Sequence, residues 1–296
     1  MPSLKDIRSR IGSVRNIAQI TRAMEMVAAS RMKRAQDSIL AARPYADELE
    51  AALGRVAGAA GLTEDIDPLL ARRPIRRAGI IVITTDRGLA GSLNANATRA
   101  VLRWVTERAS RSNGDARVEI EAITVGRKGR DALRRAGVPI AAHFAQLGDR
   151  PSFADVTPIA RLVTEDFLAE KYDEIDIAYS TFVSTLSQRP EIATILPVVR
   201  PEMGEESERT NDEYLFEPSP EAVLRRLLPH YVAIGIYRAV LENNASEQSA
   251  RMIAMRNSTD NANELIDDLT LVYNKTRQAT ITREMIEIAS GAEALG

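Results

Sequence analysis

The chain has 296 residues, 45% of them hydrophobic, enough for one large domain or two modest ones with a real core. Lys+Arg 39 against Asp+Glu 41 leaves a formal net charge of -2, so no global charge points to nucleic acid or an anionic membrane. The absence of Cys excludes a disulfide framework, a thiolate nucleophile and Cys-ligated metal centres. His143 and His230 stand alone, which predicts no metal site. Aromatic residues make up 4% of the chain, while Ala, Leu, Ile, Arg and Glu abound, a balance that favours long helices. No apolar run approaches the roughly 18 residues of a membrane span, and MPSLKDIRSR lacks an apolar signal region. The expectation is a chain without direct membrane insertion or export signal, cytosolic unless a partner holds it elsewhere.

From Ser3 to about Ala57 almost nothing breaks a helix: Ser3 can cap, Asp6 completes a weak capping box, and Pro44 is the only proline. Leu4, Ile7, Ile11, Val14 and Ala18 step by three and four, and Thr21, Met24, Ala28 and Ala35 continue the seam with smaller residues. At about 1.5 Å per residue such a helix reaches about 80 Å, more than a small domain can bury. Next come GIIVITT (79–85), VEIEAITV (118–125), EIDIAYSTF (174–182) and EIATILPVV (191–199), which read as β-branched strands. Helical segments near Leu93 to Arg108, Arg127 to Ala136 and Pro158 to Glu170 separate several of them, predicting an α/β domain with at least partly parallel strands.

The stretch PEMGEESERTNDEYLFEPSP from Pro201 to Pro220 is acidic and rich in punctuating residues, an exposed connection or a partner-facing loop. Ser219 and Pro220 supply an N-cap and a first helical position, and Pro229 is expected to bend the helix that follows. In that helix Met252, Met255, Thr259, Ala262, Ile266 and Leu269 repeat the three-and-four stepping. Both terminal stripes are too narrow for a domain core and too long to leave wet, so the two ends should pair. A compact insert returns the chain to its starting side, which makes them antiparallel. The predicted fold class is α/β plus coiled coil: long antiparallel N- and C-terminal helices with an inserted Rossmann-like α/β domain. Its parts are 1–57 (first helix), 75–200 (α/β domain), 201–219 (connecting loop) and 220–296 (C-terminal helix).

The most enzyme-like stretch is ITTDRGLAGSLNANATR, a strand, a glycine-containing turn and a helix, where an α/β nucleotide site would lie. It has neither G-x-G-x-x-G nor G-x-x-x-x-G-K-[ST], and the later GRKGRD also lacks the spacing. The glycines are read as turning the chain, and Asp86 and Arg87 as a turn-stabilising pair or a partner contact. The first helix is the better lead. Up to Gln36 it carries Lys5, Arg8, Arg10, Arg15, Arg22, Arg31, Lys33 and Arg34 against only Asp6 and Glu25. A solvated face and a DNA-binding face are alternatives, but the charges are spread around the helix with no interleaved aromatic residue. An acidic protein surface around a basic rod fits better. RMIAMRNSTDNAN and YNKTRQATITREMIEIASGAEALG mix small and polar residues, a choice that suggests a neighbour.

KDIRSRIGSVRNIAQITRAMEMVAASRM and the tail from ASEQSARM to ITREMIEIASGAEAL closely resemble the gamma subunit of F-type ATP synthases. ITTDRGLAGSLNAN resembles that family's central α/β segment, and NDEYLFEPSP its rotor-base segment. The resemblance therefore touches the whole chain. It implies an antiparallel coiled coil inside a ring of alpha and beta subunits, with the α/β domain below, seated with the epsilon subunit on the membrane c-ring. The implied function is that of a central rotor shaft that couples proton-driven c-ring rotation to conformational cycling of catalytic beta subunits. No bond is made on the chain, and no catalytic residue, cofactor or metal is implied.

By position in the family motifs, Arg251, Arg277, Gln278, Thr282 and Glu284 resemble shaft residues that engage a loop of beta, and Met24 faces the same bearing region. Arg8, Arg10, Arg31 and Arg34 would look toward acidic segments of beta, and the sequence around Tyr214 and Glu217 resembles the c-ring contact. Chloroplast relatives carry a cysteine-bearing regulatory insert; this chain has no Cys, so thiol regulation is excluded. The family's frequent cysteine after DRGL is Ala90 here. A start at Met1 without a transit peptide favours the cytoplasmic face of a bacterial plasma membrane, with peripheral attachment. Two other readings stay open, a nucleotide-dependent α/β enzyme with helical arms and a static coiled-coil tether.

Overall fold

The structure is a computed structural model that describes residues 3–60, 67–110, 117–145, 147–199 and 216–295. It contains α1 (Leu4–Ala60), β1 (Arg77–Ile83), α2 (Leu93–Ser110), β2 (Glu119–Val125), α3 (Arg127–Arg135), β3 (Ile140–Phe144), α4 (Phe153–Leu168), β4 (Glu174–Ser184), β5 (Ser187–Leu196) and α5 (Pro220–Leu295). These form two compact units, one of residues 1–29 and 251–296, the other of residues 30–250.

In the first unit α1 starts as its sequence indicates. Ser3 Oγ accepts from Asp6 N, and the Asp6 carboxylate accepts in return from Ser3 N at 3.1 Å, so two otherwise orphaned donors are satisfied. Ile7, Val14, Ala18, Thr21 and Ala28 on α1 are buried, as are Met252, Met255, Thr259 and Ala262 on α5. The stepping by three and four thus marks the contact seam. Val14 and Ala18 pack with Ala262, Ile266 and Leu269, the Thr21 and Thr259 hydroxyls lie 2.7 Å apart, and Arg256 meets Glu25 at 2.8 Å. Residue numbers rise on one helix as they fall on the other, so the pairing is antiparallel. It is made with small residues and one buried hydroxyl pair, which lets the helices approach closely.

The second unit is built on a five-stranded sheet in the order β3-β2-β1-β4-β5. β1 pairs in parallel with β2 and β4, β2 with β3, and β5 returns antiparallel beside β4. β1 is buried along nearly its whole length, as expected of a central parallel strand covered on both faces. Alternation splits its side chains between two layers. Ile80 and Val82 join Ala122, Val101 of α2 and Leu133 of α3. Ile81 and Ile83 join Ile123, Ile175, Val163 and Phe167 of α4, and Leu224, Leu228, Val232 and Ile236 of α5. Each fully buried Leu or Ile contributes about 1.5–3 kcal/mol, so the lower part of α5 is held by the sheet. Leu241 and Ala245 pack against Ala35 and Ile39 of α1, again antiparallel.

The sequence reading missed β3 and placed the start of α4 at Pro158. α4 begins instead at Phe153, where Ser152 and Asp155 form a capping box. The cap sets the start, and Pro158 sits inside the helix. α5 begins at Pro220 with Ser219 Oγ accepting from Ala222 N at 3.3 Å. It remains one helix through Pro229.

Candidate functional site

The loop after β1 is the place where an α/β fold would hold a nucleotide. Its polar groups are already engaged with one another. Thr85 N donates to Asn94 Oδ1 at 3.2 Å, Asn94 Nδ2 donates to Thr85 Oγ1 at 2.8 Å, and Thr85 Oγ1 donates to the Arg87 carbonyl. The amides that head α3, which could have met an anion, are taken by side chains from the end of β1. Arg127 N donates to Asp86 Oδ1 at 2.6 Å, and Gly129 N donates to Thr84 Oγ1 at 2.8 Å. Gly126 has φ +91, and a Cβ there would lie 2.2 Å from the Thr84 carbonyl oxygen, so glycine is required for this close approach. Asp86 does stabilise the turn, with Arg127 as its partner in place of Arg87. The glycines and the acid together build a closed corner.

A different kind of surface lies at the end of α5. The pairing register sets Thr21 opposite Thr259 and Glu25 opposite Arg256, so α1 runs out near Ser3 while α5 continues to Leu295. Every residue from Ile281 to Ser290 is exposed. Among them are Ile281, Met285, Ile286 and Ile288, the last 72% exposed. Such groups on a helix with no packing partner are costly in water, and isolated helices of this length are marginal. Thr282 and Glu284 share this stretch and are exposed, and Arg277 and Gln278 are exposed on the turn before it. The apolar tail residues were not singled out from the sequence. Their spacing of four and three at 281, 285 and 288, beyond the last partner that α1 can offer, was the available signal.

The remaining expected contacts are dispersed. Arg8 and Arg10 are exposed and make no ion pair among the described residues, and Met24 is half-buried beside the seam. Arg251 is 8% exposed and engaged within the chain, so it differs from the exposed tail group. Arg31 is held by Asp149 at 2.8 Å. Arg34 is exposed and donates to the Ser30 carbonyl at 3.3 Å. Glu217 is exposed just ahead of α5; Tyr214 lies outside the described residues. Nearby, a hydrogen bond from the Ser219 side chain holds the Glu221 carboxyl below the usual range.

The ATP synthase family profile matches residues 3–295. A chain named ATP synthase gamma chain from Roseiflexus castenholzii is 51% identical, the match covering 100% of this chain and 99% of the relative. Another so named from Dehalococcoides mccartyi is 47% identical with 100% of each chain covered. Among solved structures, a chain of the Tetrahymena thermophila mitochondrial ATP synthase central stalk/c-ring matches with TM-score 0.59 and 26% identity, covering 80% of this chain and 98% of that one. A chain of the Euglena gracilis mitochondrial ATP synthase OSCP/F1/c-ring assembly matches in fold with TM-score 0.64 at 20% identity, covering 99% of this chain and 94% of that one. The chain belongs to the ATP synthase gamma-chain family.

Proposed function

We propose that the chain is the central rotor shaft of an F1Fo ATP synthase, a non-catalytic subunit that couples c-ring rotation to conformational cycling of the catalytic beta subunits for ATP synthesis. The observation that carries this reading is the helical end of α5, exposed on every side from Ile281 to Ser290. A ring of alpha and beta subunits closing around that end would cover Ile281, Met285, Ile286 and Ile288, and would meet Arg277, Gln278, Thr282 and Glu284 as polar contacts. Arg8, Arg10, Arg34 and Met24 would face the same ring. Arg31 would do so by exchanging Asp149 for an acidic group of beta, and Arg251 by shifting out of its internal contacts. Glu217 and Tyr214 would meet the c-ring, with the epsilon subunit seated beside the α/β domain. No described helix is long and apolar enough to cross a membrane, which fits a peripheral place, here assigned to the cytoplasmic face of a bacterial plasma membrane.

The work asked of these contacts is modest. Moving a two-state catalytic site from 1:99 to 99:1 takes about 5.5 kcal/mol of differential interaction. Charge-assisted hydrogen bonds contribute about 1.5–3 kcal/mol each, so roughly two to four contacts that form on one face of the turning shaft suffice. The enzyme alternative has little support, because the turn that would hold a nucleotide is filled by Asp86 and Thr84.

The test is reconstitution with alpha and beta subunits. Gln278→Leu and Glu284→Lys should each lower ATPase turnover about tenfold, the loss of one contact of this kind, with assembly unchanged. Wild-type turnover in both variants would leave a static tether as the better account. Appreciable ATP hydrolysis by the purified chain alone would favour an enzyme.

A further inference from the structure

β4 outruns its neighbour. Its pairing with β1 ends at Ala178 opposite Val82, yet β4 continues to Ser184. Past that point one edge of β4 is bare, and the alternate residues Ser180 and Phe182 turn their amides to the same side. Helix α5 takes the missing strand's place. Asn243 Oδ1 accepts from Ser180 N at 3.3 Å, Glu242 Oε2 accepts from Phe182 N at 3.0 Å, and Ser246 Oγ donates to the Ser180 carbonyl at 2.8 Å. At the hairpin tip Ser249 Oγ donates to the Thr185 carbonyl at 2.6 Å, and Gln188 Nε2 donates to Ser249 Oγ at 3.3 Å. Glu242, Ser246 and Ser249 follow at intervals of four and three, one face of a helix.

Two other faces of the same turns are also covered. Leu241 and Ala245 meet Ala35 and Ile39 of α1, and Asn244 Nδ2 donates to the Asp149 carbonyl at 3.2 Å, on a residue whose carboxylate holds Arg31. The result is a run from Asn243 to Ser249 that is polar in six of its seven positions and buried throughout. Such a run is costly unless each group is matched.

We propose that residues 242–249 of α5 are a torque-bearing collar, in which side-chain hydrogen bonds to the unpaired edge of β4 fix the rotational and axial register of α5 against the α/β domain. The inference rests on the rotor reading. Apolar packing is non-directional and would resist turning only weakly. Hydrogen bonds are directional, and turning α5 by one residue, about 100°, or sliding it by about 1.5 Å would break the whole set at once. The base of a rotor can then load the helix without slip. Glu242, Ser246 and Ser249 are positioning residues on this account.

Two measurements test it. In the isolated chain, hydrogen exchange at Phe182, whose amide loses its acceptor, should speed up about fivefold in Glu242→Ala combined with Ser246→Ala and Ser249→Ala, the net effect of losing about one such bond. Glu242→Gln keeps the accepting oxygen and should restore protection at Phe182. In reconstituted membrane vesicles the triple variant should retain unloaded ATP hydrolysis but pump fewer protons per ATP, with the uncoupled fraction of turnovers rising about fivefold. Unchanged exchange, unchanged pumping per ATP, or a parallel loss of hydrolysis and assembly would each overturn the collar. If the wild-type chain fails to couple hydrolysis to pumping, the rotor reading falls, and the exchange result still decides whether the grip exists.

Discussion

Two stretches of α5 have contrasting polarity and opposite fates. Asn243 to Ser249 is buried on all sides, whereas Ile281 to Ser290 is exposed on all sides and carries the larger apolar groups. In an isolated globular domain the assignment would be reversed. The difference teaches that hydrophobicity alone does not decide burial along a long helix. Polar residues are buried where a strand edge needs partners, and on the proposed reading apolar residues stay wet where the partner belongs to another chain. The first stretch is completed within this chain; on the proposed reading the second is completed by assembly.

The largest expected effect comes from the anchored end. Leu228→Ala, at a fully buried position against the sheet, should cost about 2–5 kcal/mol in urea unfolding of the isolated chain. Ile286→Ala on the overhang should change that stability by less than about 0.5 kcal/mol and yet lower turnover in the complex. Equal losses in the two variants would erase the contrast. A smaller effect is expected in the seam. Thr259→Val removes a hydroxyl that donates to the Met255 carbonyl and meets Thr21, and should cost about 1 kcal/mol, read as faster exchange of seam amides. An unchanged rate there would mean that the hydroxyl pair does not secure the seam.

Alkaline pH should separate the regions more gently. Burial, reinforced by the hydrogen bond to Glu121, pushes the Tyr172 hydroxyl up from 10.0 to about 12. A raised folded value means that the neutral form is favoured in the fold. Its stabilising contribution is complete below about pH 10 and is lost as pH rises from there through about 12. Burial also raises Tyr179, Tyr231 and Tyr237, so an ultraviolet difference titration should find several late-ionising tyrosines, and Tyr172→Phe should remove one of them and flatten the loss of sheet stability. The overhang, which has no tyrosine after Tyr273, should exchange without a matching step.

Much of this was legible in the sequence. The seam residues declared themselves by stepping, and β1, β2 and β4 by their β-branched runs. β3 did not, because Ile140 to Phe144 carries two alanines and a histidine in place of such a run. The start of α4 was hidden by Pro158, although Ser152 and Asp155 already spelled the cap. Register was illegible, since periodicity gives the face of a helix but not its axial match to another. Without register neither the length of the overhang nor the meaning of Ile281, Met285 and Ile288 could be read. The collar was illegible for a related reason: its polar residues answer to backbone groups of β4, and nothing in a side-chain pattern marks a strand that outruns its neighbour.

The most direct measurement is hydrogen exchange along α5 in the free chain and in the complex with alpha and beta subunits. Amides of 243–249 should be protected to nearly the same degree in both. Those of 281–290 should exchange by local opening in the free chain and become strongly protected on assembly. Tail amides that exchange equally fast before and after assembly would contradict the proposed reading.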